Sequence, residues 1–167
     1  EEDFAQRCAD DLEKLIVAED PDTVAAMIAE PVMGAGGVIP PPATYFEKIQ
    51  AVLKKYDILL IADEVVCGFG RTGNMWGTQT YNMQPDIITM AKALSSAYVP
   101  ISAVMVTEPI FQAMAEQSGE IGVFGHGYTY STHPVPAAVA LETLKIYEER
   151  DIVGIVRGVM DHFQEGL

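Results

Sequence analysis

Two residues in this sequence are spaced to do chemistry together. Asp63 ends the apolar run ILLIA, and Lys92 follows the next apolar stretch, which holds Ile87, Ile88 and Met90. If both runs are strands of an open parallel sheet, both residues lie at the carboxyl edge, where ligands bind in such sheets. A carboxylate there favours the protonated form of a nearby cationic nitrogen, typically by about one to three pKa units. Lys92 is flanked by Ala91, Ala93 and Leu94 as well as the strand residues, an unusually apolar context for a point charge. Burial disfavours the ammonium form, and only the neutral amine attacks a carbonyl to form a Schiff base. Both residues also have ordinary readings, Asp63 as a solvated strand end or cap and Lys92 as a surface charge. Glu64 points away from Asp63 if the strand continues, which suits a structural role.

The elements that must position this pair can be read from periodicity. Phe4, Cys8, Leu12, Leu15 and Ile16 recur at helical spacing, predicting a helix over 3–18 that Pro21 and Asp22 end. VAAMIAE, residues 24–30, reads as a buried strand stopped by Pro31, and GAGGVIPPP, residues 34–42, reads as a loop. Thr44 with Glu47 three residues on predicts a capping box opening a helix that carries Phe46, Ile49, Val52 and Leu53. ILLIA is apolar at every position, as in a parallel strand covered on both faces. A third strand falls at Ile87–Met90 and a fourth at 102–106. Thr107 and Pro109 open a helix through Met114, residues 119–127 form a glycine-punctuated connection, and helices follow over 134–149 and 151–165. Strands alternating with helices define an α/β fold with a mainly parallel sheet.

Other motifs carry less. GFGRTG, Gly68–Gly73, matches the GxGxxG pattern directly after a strand, but a dinucleotide site needs a helix to begin on its last glycines. NMWGTQTYNMQPD follows instead, without an apolar helical period, so a tight irregular loop is the better reading and a dinucleotide-binding domain the weaker one. His126, His133 and His162 show no metal-ligand spacing, and His133 suits a helix cap. Ser95 and Ser96 could contact a phosphate, although loop hydroxyls beside Lys92 need no such role.

Composition sets the outer limits. At 167 residues, 49% apolar and 20% charged, the chain is ordinary for one globular domain. A net charge of −14 argues against a nucleic-acid partner, and no run approaches the roughly 18 apolar residues of a membrane span. Cys8 and Cys67 form no disulfide framework, which points to a reducing, cytoplasmic location. The start, EEDFAQRC, has neither an initiator methionine nor a signal-peptide pattern and suggests a piece of a longer chain.

ADEVVCGFGRTGNMWG, PDIITMAKALSSAYVPISAV, HGYTYSTHPVPAAVALETL and AMIAEPVMGAGGVIPPP together resemble the class III aminotransferases that use pyridoxal phosphate, in particular the ω-amino acid or amine:pyruvate branch. The resemblance covers essentially the whole chain. It implies a three-layer α/β/α sheet like the large domain of fold-type-I transferases, with residues 1–167 forming part of that cofactor-binding domain. Lys92 would be the Schiff-base lysine and proton carrier, Asp63 the partner of the pyridinium nitrogen, and Val65 the residue against the ring face. Thr129, with Tyr128 beside it, would reach the cofactor phosphate of a neighbouring subunit, and Glu30 would lie nearby as support. The substrates implied are a small amine donor and a 2-oxo acid acceptor, and the assembly a homodimer or dimer of dimers. Thr132 stands where the family usually has glycine. Val66 stands where the ornithine and γ-aminobutyrate branches carry glutamine, which favours the amine:pyruvate branch. Family members are longer and supply a phosphate loop before this stretch and a small domain after it, so a catalytically incomplete fragment is the rival reading.

Overall fold

The computed structural model describes residues 1–166 and joins four strands in one sheet, in the order β1-β2-β3-β4. β1 (Ala26–Ala29), β2 (Leu59–Asp63) and β3 (Ile87–Met90) are parallel, and β4 (Ala103–Val106) runs antiparallel to β3. The helices are α1 (Glu2–Glu19), α2 (Tyr45–Lys55), the single turn α3 (Gly77–Thr80), α4 (Glu108–Ile121), α5 (Pro134–Glu149) and α6 (Ile152–Glu165). The expected α/β class and mainly parallel sheet are therefore present. No helix among the described residues is long and apolar enough to cross a membrane.

Side-chain alternation fixes which face each strand residue occupies. Leu60 and Ala62 of β2 are buried with Ile49, Phe46 and Leu53 of α2 and Ala9 and Ile16 of α1. A second core gathers Met90, Leu94, Phe69 and Ala140, with Trp76 and Tyr147 against it. Ile88 packs against both and pairs in register with Ala62, so the two cores share one face of the sheet. On the opposite face Ile28 and Val104 are 61% and 63% exposed. β2 was expected to be covered on both faces, yet its burial alternates, because the described helices that build these cores lie on one side.

Two local expectations change. Thr44 does precede α2, but its backbone is left-handed (φ 64°) and its side chain makes no cap bond. An N-cap side chain reaches the amides two and three residues on from an extended backbone, which this conformation denies it. Its hydroxyl is instead buried without a partner. α4 continues past Met114 and Gly119 to Ile121, and stops where Gly122 turns left-handed at φ 83°. Asp151 caps α6, its Oδ1 accepting from the Gly154 amide at 3.1 Å.

Candidate active site

Asp63 ends β2 and Lys92 lies two residues past the end of β3, so both stand at the same edge of neighbouring parallel strands. Asp63 is opposite Thr89 in register, and Lys92 lies three residues beyond Thr89. Asp63 is half-buried, and its Oδ1 accepts from the Val65 amide at 3.0 Å. That bond turns the backbone out of the strand and holds the carboxylate. Oδ2 accepts no hydrogen bond among the described residues and is free for an external donor.

Around Asp63 the chain builds a concavity of about 620 Å³, lined also by Glu30, Met33, Ile39 and Tyr45. Glu30 accepts from the Gly34 amide at 2.8 Å through Oε2. A Cβ at Gly34 would meet that oxygen at 3.2 Å and Val66 at 3.3 Å, so glycine lets the 34–39 turn settle on the acid and on Val66. Glu64, fully buried, takes a different path from Asp63. Its two oxygens accept from the amides of Thr78 (2.7 Å) and Gly77 (3.0 Å), while Gly68 N donates to its carbonyl. Its expected structural role is thus visible as a clamp across the glycine loop.

Cys67 sits within this acidic group. Burial pushes its thiol above the ordinary range; the Val32 carbonyl, which accepts from Sγ at 3.5 Å, works in the other direction, and Glu64, Glu30 and Asp63 push it up further. Of these carboxylates, Asp63 and Glu30 line the concavity, whereas Glu64 is turned to the amides of Gly77 and Thr78.

Lys92 departs from expectation. It is exposed rather than held in an apolar pocket, its backbone is left-handed at φ 45°, and it forms no ion pair among the described residues. The buried positions of its turn belong to Leu94 and Ser95, which the single-turn helix Lys92–Ser95 directs inward while Lys92 stays at the rim. The Ser95 hydroxyl donates to Val99 O at 2.7 Å, and Ser96 lies 2.7 Å from the Tyr147 hydroxyl, so both serines serve the loop. Tyr147 also donates to Ala93 O at 2.6 Å. Nothing in the spacing of α5 singled Tyr147 out, because its position reads as one more half-buried aromatic on a helix.

Tyr128 and Thr129 are exposed, in a segment that the structure does not bring into the Asp63 concavity. Tyr128 lines a second, larger concavity of about 950 Å³ with Tyr130, Ser131, Thr132 and His133. Thr132 has φ 60°, so the position where the family usually carries glycine does require a left-handed residue. His133 caps α5 as expected, its Nδ1 accepting from Val135 N. No cluster of metal ligands forms among the described residues.

The glycine loop does not serve as a dinucleotide cradle. The helix that follows it begins at Gly77, and the Glu64 carboxylate already occupies that N-terminus, where a pyrophosphate would have to sit. Gly70 and Gly73 instead take left-handed turns (φ 100° and 80°), and α6 closes over them. Arg157 donates through Nε to Gly73 O and through Nη2 to Asn74 Oδ1.

The family model for class-III aminotransferases matches residues 1–167, and the chain belongs to that family. Over its whole length it is 62% identical to the chloroplastic gamma aminobutyrate transaminase 3 and to the mitochondrial gamma aminobutyrate transaminase 1 of Solanum lycopersicum. It spans 32% of the length of each. Among solved structures it resembles an omega transaminase from Pseudomonas jessenii in complex with PMP, with a TM-score of 0.89 and 60% identity, covering 91% of this chain and 34% of that one.

These relatives correct one expectation. A cytoplasmic location is not supported, since the tomato proteins are named for the chloroplast and the mitochondrion. Cysteine usage reports only the lack of a disulfide framework, and an organelle address is carried by a targeting segment rather than by the composition of the fold.

Proposed function

We propose that residues 1–167 form part of the pyridoxal-phosphate-binding large domain of a transaminase, which moves an amino group from an amine or ω-amino acid to pyruvate or a similar 2-oxo acid. The observation that carries this reading is the placement of Asp63 and Lys92 at the same edge of neighbouring parallel strands, with Asp63 Oδ2 unengaged. The donor set fits the cofactor: a free carboxylate oxygen for a ring N–H, further acids that favour its positive charge, and an accessible amine for its aldehyde. When bound, pyridoxal phosphate supplies that aldehyde and a ring that takes up the electron pair released at the substrate carbon.

In this reading Asp63 would accept the hydrogen bond of the ring nitrogen through Oδ2. Val65, on the turn that Asp63 caps, packs against the ring face. Glu30 supports from the 34–39 turn. Lys92 would hold the cofactor through its amine, and that amine would carry the substrate-carbon proton. Thr129 and Tyr128 serve the cofactor phosphate of a second subunit in a homodimer, which accounts for their exposure here. The γ-aminobutyrate in the relatives' names makes a terminal amine on a short acid the first donor to test, with pyruvate as acceptor.

The exposure of Lys92 and the one-third span favour a second reading for the isolated 167-residue chain, namely that it is structural but catalytically incomplete. One experiment addresses both readings. Pyridoxal phosphate is added, the sample is reduced with borohydride, and the adduct is located by intact mass and peptide mapping. The full-length protein is expected to carry one adduct on Lys92, which Lys92→Ala abolishes together with amino transfer. An adduct confined to Lys54 or Lys55 would sink the assignment of Lys92.

A further inference from the structure

We propose that Tyr147 is a positioning residue for the Lys92 amine, acting through a hydroxyl relay that holds the lysine's turn in its left-handed conformation. The proposal rests on the reading of Lys92 given above. Lys92, Ser96 and Ala97 have φ values of 45°, 49° and 63°. Such backbone is costly for non-glycine residues and persists where the surroundings over-determine it. Several bonds come from within the segment, among them Ala97 N donating to Lys92 O at 3.3 Å, Ser96 N to Ala93 O at 3.1 Å and Ser95 Oγ to Val99 O at 2.7 Å. Local bonds of this kind can travel with the turn as it changes shape.

Tyr147 is different, because it stands on α5, 54 residues from Ala93 in the chain. A phenol has one proton and two lone pairs. With that proton committed to Ala93 O, the Ser96 hydroxyl must be the donor in its 2.7 Å contact with Tyr147. The relay Ser96 to Tyr147 to Ala93 brackets Leu94 and Ser95 from outside and ties the residue after Lys92 to a helix. The Tyr147 ring is itself fixed, packed into the second core with its centroid 6.0 Å from that of Phe69. α5 therefore sets the direction in which Lys92 leaves the backbone at the sheet edge.

The test uses the full-length protein with Tyr147→Phe, which keeps the ring and removes the relay, and Ser96→Ala, which removes one leg at an exposed position. In the cofactor-free protein, acylation of Lys92 by an amine reagent is followed by peptide mapping. In the loaded protein, the rate of cofactor capture and the visible-region circular dichroism of the bound cofactor are recorded. Tyr147→Phe is expected to change the Lys92 acylation rate and to slow capture by about fivefold, the size that one lost hydrogen bond gives. It should also alter the dichroism band, which reports orientation and not global stability. Ser96→Ala should move the same readouts in the same direction by less, and the double variant should be no worse than Tyr147→Phe. Unchanged acylation, capture and dichroism, even with a lowered melting temperature, would make Tyr147 a packing residue and overturn the proposal. If Tyr147→Phe fails to fold, Ser96→Ala decides by the same readouts. A wild-type protein without a Lys92 adduct removes the reading of Lys92 and the proposal with it, whereas an intact wild-type adduct beside unaffected variants removes the proposal alone.

Discussion

Asp63 and Glu64 are adjacent carboxylates with opposite surroundings, and their variants should differ accordingly. Glu64 is spent on two buried amides, Gly77 N and Thr78 N. Hydrogen bonds to a charged group contribute about 1.5–3 kcal/mol each, and the amides would be left unsatisfied, so Glu64→Ala should destabilise by roughly 3 kcal/mol in urea unfolding. Glu64→Gln, which keeps one acceptor, should cost less. Asp63→Asn should leave the urea midpoint nearly unchanged and abolish tight cofactor binding in the full-length protein. Cys67 gives a pH prediction. Its thiol is raised in the folded state, chiefly by burial, so the folded protein holds that proton more tightly than the unfolded chain. The associated stability is fully present below the ordinary thiol value of about 8.5 and is lost as pH rises through the folded value. Unfolding free energy measured from pH 7 to 10 should therefore fall, and the fall should be shallower in Cys67→Ala. At this scale the common edge of the sheet shared by Asp63 and Lys92 was legible, because each follows an apolar run. The exposure of Lys92 was not, because apolar neighbours in sequence turned out to be the buried members of its own turn.

Among elements, the strands and helices were readable because each has an unbroken period, and the errors fall at their ends. α1, α5 and α6 lie within a residue or two of expectation, since Pro21, Pro134 and Asp151 mark their boundaries. Thr44 misled because a capping-box pattern names residue types but not the backbone angle at the cap, which here is left-handed. A β-branched residue there is strained, and its hydroxyl is buried without a partner. Thr44→Gly should consequently stabilise the protein by about 1 kcal/mol, seen as a rise in melting temperature. Thr132→Gly should act in the same direction by about 0.5 kcal/mol, since Thr132 is exposed and only its backbone is strained. A drop in melting temperature for both would show that these threonines hold their turns by contacts other than backbone geometry.

On the scale of the whole molecule, the alternating burial of β2 and the exposure of Ile28 and Val104 show one sheet face that the described helices do not cover. Composition gave no hint of this, because a strand apolar at every position does not say which of its faces the helices cover. An apolar dye that fluoresces on exposed hydrophobic surface should therefore bind the 167-residue chain strongly and the full-length protein weakly. α6 adds a consequence in time. Arg157 closes the glycine loop from 84 residues further along the chain. At about 5–20 residues per second, synthesis leaves that loop waiting roughly 4–17 s for its clasp. Nascent chains arrested before Arg157 should be cut by protease at residues 70–74, and chains arrested well after it should be protected there. The loop that follows Asp63 would thus acquire its final shape late in translation, after the sheet strands that flank it have been made.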